Sequence, residues 1–145
     1  MPFSRILAAV DGSDTSDQVF NIAAQLSKTS GGKLYVVHVI MPLSVGGFNY
    51  YDASVIEKLQ QDLEERGKKL LAKYSTAAEE NYNISIEAIL AQGFPPDAIL
   101  REATSKAADL IVVGSKGFSG VKQFFIGSVP NSILHHAKIP VLLVK

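Results

Sequence analysis

Short β-branched runs alternate with longer stretches of helical periodicity along the whole chain, and this alternation narrows the possible folds most. The run Ile6, Leu7, Ala8, Ala9, Val10 predicts a first strand, followed by the turn Asp11, Gly12, Ser13, Asp14. Ser13 or Ser16 can then cap a helix whose apolar residues Val19, Ile22, Ala23 and Leu26 fall at i, i+3, i+4, i+7. Gly31 and Gly32 stop it. The second strand, residues 34–40, is nearly continuous in apolar character, as a strand covered on both faces should be. A third strand is predicted over 84–91, a fourth over 109–113 and a fifth over 140–145.

Helices fill the intervals. Ile56, Leu59, Leu63, Leu70, Tyr74 and Ala77 mark a long one. That spacing also suits heptads, but Gly67 and the small number of heptads favour a helix packed on a sheet over a coiled coil. Its Glu64–Lys68 and Glu65–Lys69 pairs at i,i+4 read as a solvated face. Pro95, Pro96 and Asp97 open a helix to about Ala107, and Ser128 can cap a last one through His136. Strands alternating with helices imply right-handed crossovers, a parallel sheet and helices on both faces. The expectation is one α/β domain over residues 1–145, since no linker, repeat or low-complexity tract interrupts the pattern. A chain of 145 residues can bury roughly 70% of its unfolded surface.

Composition removes several function classes. Lys plus Arg number 14 and Asp plus Glu number 14, which argues against a nucleic acid or anionic membrane held by bulk charge. No cysteine is present, so a disulfide framework, a thiolate metal site and a Cys nucleophile are excluded. No run approaches 18 apolar residues and the first residues carry no signal-peptide core, so a cytoplasmic protein is expected.

Open parallel sheets bind ligands beyond the carboxyl ends of their strands, where strand order reverses. If the chain winds outward through three strands and then returns, strands one and four become neighbours. The loops after them, Asp11-Gly12-Ser13 and Gly114-Ser115-Lys116-Gly117, then face each other. Neither a G-x-x-x-x-G-K-[ST] phosphate loop nor a G-x-G-x-x-G dinucleotide fingerprint occurs. Instead Gly114, Gly117 and Gly127-Ser128 are spaced by two and nine residues. Gly114 and Gly117 can present backbone N–H groups to an anion, and Gly127 and Ser128 can add more at a helix N-terminus. Lys116 or Lys122 can add a point charge. An ordinary turn and an ordinary helix cap would produce the same residues.

Gly114, Gly117, Gly127 and Ser128 at this spacing resemble the ATP-binding motif of the universal stress protein family. The likeness runs over residues 3–145 and includes Val10-Asp11-Gly12-Ser13, His38-Val39 and the closing Ile139-Pro140-Val141-Leu142-Leu143-Val144. It implies a Rossmann-like, adenine nucleotide alpha hydrolase-like sheet in the order 3-2-1-4-5, matching the topology above. It further implies that Ala9, Val10 and Asp11 line the adenosine end and that Val39 meets adenine through its backbone. Gly114, Lys116, Gly117, Gly127, Ser128 and Val129 would hold the phosphates of ATP or another adenine nucleotide, with Mg²⁺ or Mn²⁺ carried by phosphate oxygens. Two departures stand out. Pro130 offers no N–H where many relatives have a polar residue. Phe118, Val121, Phe124, Phe125 and Ile126 make the glycine loop unusually apolar.

Asp11, ending an apolar strand, either contacts ribose, adenine or metal, or caps the following turn. His38 reads as a hydrogen-bonded structural histidine. His135 and His136 complement the last helix dipole, with no protein metal site implied. The loop bearing Phe48, Tyr50 and Tyr51 either closes over a base or is surface. The expected function is an ATP-binding, dimeric sensor or regulator in stress response, with at most weak ATP hydrolysis. Efficient phosphoryl transfer needs a base and an acceptor site that the sequence does not display. A pyrophosphate-releasing enzyme on a similar sheet, or an interaction module with an empty pocket, are the alternatives. The fifth strand, apolar on both faces and at a sheet edge, is the expected homodimer surface.

Overall fold

The computed structural model describes residues 3–43, 52–116 and 126–145. Five strands form one parallel sheet: β1 (Arg5–Ala9), β2 (Lys33–Ile40), β3 (Ile86–Gln92), β4 (Leu110–Gly114) and β5 (Val141–Val144). Their spatial order is β3-β2-β1-β4-β5, as the family resemblance implied. The helices are α1 (Asp14–Ser30), α2 (Ala53–Ala77), α3 (Pro95–Ser105) and α4 (Ser128–His136).

The pleat explains why the central strands are apolar without a break. Side chains alternate across a strand, so a sheet covered on both sides needs hydrophobic residues at every position. Ile6, Ala8, Leu34, Val36, Leu110 and Val112 bury one face against Val19, Phe20 and Ala23 of α1 and Leu71 and Tyr74 of α2. Leu7, Val37, Ile111 and Val113 bury the other against Ala98, Ile99 and Ala103 of α3 and Ile133 of α4. On the first face the Phe20 and Tyr74 rings pack with centroids 4.8 Å apart.

The long helix lies on β2 and β3 rather than in a coiled coil. Gly67 is buried in that contact, and a Cβ there would stand 2.6 Å from Leu90 Cδ1 and 3.1 Å from His38 Cδ2. The missing side chain lets the helix approach the sheet.

Several expected boundaries and contacts are corrected. The third strand begins at Ile86, not Ile84, because a π-helical turn, Ala78–Tyr82, prolongs α2 until Asn83 turns left-handed at φ 55°. The first strand starts at Arg5 and the fifth is confined to Val141–Val144. The third helix ends at Ser105, capped by Lys106. Ser128 is the first residue of α4 rather than its cap; Gly127 holds the cap position, with φ −62° and ψ 163°. Among the described residues the close ion pairs are Lys33–Glu87, Lys73–Asp17 and Lys106–Glu87. The Glu64–Lys68 and Glu65–Lys69 pairs of α2 do not close to ion-pair distance, while Glu65, Lys68 and Lys69 are exposed, as a solvated face should be. Gly117, Phe118, Val121, Lys122, Phe124, Phe125 and the Phe48, Tyr50, Tyr51 segment lie outside the described residues.

Candidate functional site

The chain winds outward from β1 to β3 and then returns to β4 and β5, so strand order reverses between β1 and β4. At the carboxyl ends of these two strands lies a cavity of about 260 Å³. From β1 and its exit it is lined by Ala9, Val10 and Asp11, and from β2 by Val39. Gly114 and Lys116 reach it from the end of β4, and Gly127, Ser128 and Val129 from the start of α4. The structure thus brings nine of the sequence-predicted residues to one place, and Gly117 lies outside the described residues.

The turn after β1 is built around a hydroxyl. Gly12 takes φ 85°, a conformation glycine adopts without steric cost. Ser16, buried in the first turn of α1, accepts hydrogen bonds from the N–H groups of Asp11 at 2.9 Å and Gly12 at 3.1 Å. Its own hydroxyl donates to Asp11 Oδ1 at 3.0 Å. The same oxygen accepts from the Ser13 N–H at 2.9 Å, so one Asp11 oxygen holds the turn, and among the described residues Oδ2 meets no donor. Asp11 therefore lines the cavity and also shapes the turn. Ser13 occupies the N-cap position of α1, but its side chain makes no capping bond. Its Oγ is buried and meets no hydrogen-bond partner among the described residues.

The start of α4 offers fewer donors than a helix end ordinarily does. A helix leaves about four N–H groups without an internal partner. Here the Gly127 N–H is already donated to the Ser115 carbonyl at 2.8 Å, and Pro130 has no N–H. Asn131 closes the first turn by donating to the Gly127 carbonyl at 3.0 Å. The N–H groups of Ser128 and Val129 remain, and among the described residues neither meets an acceptor.

Beside the site, Asp17 in the first turn of α1 accepts from Lys73 Nζ at 2.9 Å and from the Tyr74 hydroxyl at 2.7 Å. These bonds hold the Asp17 carboxyl below its usual range, while burial and the Asp17 carboxylate push the Tyr74 phenol up. Among the described residues no group of three or more His, Cys, Asp or Glu side chains gathers as a metal site. No helix among them is long and apolar enough to cross a membrane.

The sequence profile of the Universal stress protein family matches residues 2–145. The chain belongs to the universal stress protein family. The universal stress protein YxiE of Bacillus subtilis is 33% identical over 148 residues, covering 99% of this chain and 99% of the relative. A solved universal stress protein in complex with cAMP is 25% identical with a TM-score of 0.75, covering 99% of this chain and 98% of that one. The universal stress protein from Archaeoglobus fulgidus in complex with dAMP is 28% identical with a TM-score of 0.68, covering 100% of both chains.

Sequence reasoning about this universal stress protein did not assign Ser16, Val37, Pro95, Ile99 or Val113 to the cavity, although all five line it. Val37 carried a usable signal: it sits two residues before Val39 on the same face of a strand, so both reach the same side of the sheet. Ser16 carried another, as a hydroxyl one turn into a helix, able to reach back to the loop before it. His38 makes the structural hydrogen bond expected of it, from Nδ1 to the Val10 carbonyl at 2.9 Å. His136 Nδ1 likewise reaches the Ser132 carbonyl at 2.8 Å, in the last turn of α4.

Proposed function

We propose that this universal stress protein binds an adenine nucleotide in the crevice beyond β1 and β4 and serves as a small cytoplasmic, nucleotide-dependent regulator. The observation carrying this reading is the convergence on one cavity of the ends of β1 and β4, the β2 backbone at Val39 and the start of α4. The apolar walls Val37, Val39 and Ile99 suit a base. The two available N–H groups at Ser128 and Val129, with Lys116 beside them, suit a phosphate. The cAMP and dAMP complexes of relatives support the adenine nucleotide class, and ATP is one candidate within it. Asp11 lines the cavity, and its Oδ2, without a donor among the described residues, would accept from ribose hydroxyls. Mg²⁺ or Mn²⁺ would ride on the phosphate oxygens.

The test is calorimetric titration of the purified protein with AMP, cAMP, ADP and ATP, the last two with and without Mg²⁺, together with assay of its heat-denatured supernatant for adenine nucleotides. Micromolar binding of at least one nucleotide is expected. No heat with any of them and an empty supernatant would refute the reading. Association is a second part of the proposal. Among the described residues β5 pairs with β4 alone, so none of them covers its outer edge, and Leu142 on it is exposed. A homodimer joined there through residues 140–145 should give twice the monomer mass by light scattering at micromolar concentration.

A further inference from the structure

The second strand loses a bond where β1 ends. In a parallel sheet the peptide groups of successive residues point alternately to the two neighbouring strands. On β2 the odd residues face β1: Lys33 donates to the Ser4 carbonyl at 2.8 Å, and Val37 accepts from Val10 at 2.9 Å. The even residues face β3, as shown by Ile40, which accepts from Gly93 at 3.0 Å. Val39 therefore directs its N–H and C=O towards β1, and the next rung would join its N–H to the Val10 carbonyl. That rung is absent. The Val10 carbonyl is met by His38 Nδ1 at 2.9 Å instead, and among the described residues the Val39 N–H and C=O meet no partner. Both groups belong to a residue that lines the cavity.

A carbonyl only accepts, so His38 Nδ1 must carry the proton of this bond. The ring reaches Val10 from the opposite face of β2, under α2, and Gly67 gives it room: a Cβ on Gly67 would press on His38 Cδ2 at 3.1 Å. We infer that His38 is a positioning residue whose imidazole takes the Val10 carbonyl in place of the Val39 amide, leaving Val39 free to read the edge of the base. An N–H beside a C=O on one strand edge matches adenine, which offers N1 as acceptor and its amino group as donor. Guanine presents the reverse pattern on that edge, so the same arrangement discriminates against it. The inference rests on the nucleotide reading above, yet its first half can be tested without a ligand.

Amide hydrogen exchange followed by NMR in the empty protein reads the Val39 N–H directly. Val39 should exchange at least tenfold faster than the ladder-bonded Val37 in wild type. In His38→Leu the Val10 carbonyl loses its imidazole and the Val39 amide replaces it, so Val39 becomes protected. AMP affinity should then fall about tenfold, and the preference for AMP over GMP should shrink. His38→Asn, whose side-chain N–H sits near the position of Nδ1, should restore both exchange and preference. A protected Val39 in wild type overturns the inference, whether or not His38→Leu folds. Equal losses for AMP and GMP with Val39 still unprotected also overturn it, because they mark a structural role alone. Fast exchange at Val39 in a protein that binds neither AMP nor GMP overturns instead the nucleotide reading on which the base-reading half depends.

Discussion

The two ends of the sheet are finished in opposite ways. At the amino ends of the strands polar side chains are tied together in a network of hydrogen bonds and ion pairs. Asp109 accepts from the Ser4 N–H at 2.9 Å, the Ser4 hydroxyl at 3.0 Å and the Arg5 N–H at 3.0 Å. Arg5 donates onward to the Lys106 carbonyl at 2.6 Å and the Tyr35 hydroxyl at 2.7 Å, and Glu87 joins Lys33 at 3.3 Å to Lys106 at 2.7 Å. At the carboxyl ends the Ser13 hydroxyl, the N–H groups of Ser128 and Val129 and the peptide groups of Val39 meet no partner among the described residues. Of these the Ser13 hydroxyl is buried, and a buried polar group without a partner costs about 1–3 kcal/mol. The difference teaches that this chain keeps its stability at one pole and its binding capacity at the other. If so, mutations at the amino pole should change stability and spare binding, while those at the carboxyl pole should trade one against the other.

The largest effect is expected at Gly32. A Cβ there would lie 2.6 Å from the Phe3 carbonyl oxygen and 2.9 Å from Ser4 Cα, so backbone rather than a side-chain tip must move. Gly32→Ala should cost about 3 kcal/mol in urea-induced unfolding, with nucleotide affinity unchanged in the folded fraction. A large affinity loss would break the separation of the poles.

Asp109→Ala comes next, at about 2 kcal/mol, because three donors lose one acceptor. The pH dependence carries a definite sign. Burial raises the Asp109 pKa, but the Ser4 and Arg5 hydrogen bonds outweigh it, so the folded value lies below the ordinary 3.8. The unfolded chain therefore binds the proton more readily. The stabilisation is fully present above pH 3.8 and is lost as pH falls below it through the folded value. Acid titration of wild type against Asp109→Asn, followed by circular dichroism, should show a shallower decline in the variant.

At the other pole Ser13→Ala should act in the opposite direction. Among the described residues its buried hydroxyl meets no hydrogen-bond partner, so removing it should raise stability by about 1 kcal/mol. Thermal unfolding compared with Gly32→Ala sharpens the contrast, and destabilisation by Ser13→Ala would contradict it.

How far the sequence revealed this division follows from the range of the forces involved. The sheet was legible because burial on both faces requires the nearly continuous apolar runs at residues 34–40 and 110–113. The reversal between β1 and β4 came from the family resemblance, since alternation alone does not say on which side of β1 the fourth strand joins. The π-helical turn was not legible, since Ala77, Ala78, Glu79 and Glu80 continue a helix-forming composition and only the left-handed Asn83 ends it. The cap of α4 was misplaced by one residue because serine favours the cap by type, whereas Gly127 holds it by backbone angle. That Pro130 removes a donor could be read from residue type alone. That Ser115 occupies the Gly127 N–H could not, because the bond joins residues 12 apart in sequence across a loop. The contact from His38 to Val10, 28 residues apart, was hidden for the same reason.

The smallest effect tests the trade-off most directly. Gly127 does not need to be glycine for its backbone: φ is −62°, and a Cβ would meet the Ser115 carbonyl oxygen at 3.4 Å, an ordinary contact. Serine is a better N-cap than glycine by a few tenths of a kcal/mol, since its oxygen accepts from an N–H one turn in. In this helix Pro130 supplies no N–H at the third position, so the Val129 amide is the donor within reach. Gly127→Ser should therefore stabilise the fold by about 0.3 kcal/mol. It should also weaken AMP binding severalfold, because the new hydroxyl occupies a donor that the phosphate would use. Gly114→Ala is the control on the strand side of the same cavity. Its Cβ would press on Thr15 Cγ2 at 3.0 Å, so stability should fall rather than rise. If Gly127→Ser gains stability without losing affinity, the Val129 amide is not held open for an anion, and the carboxyl pole is less committed to binding than its unmet donors indicate.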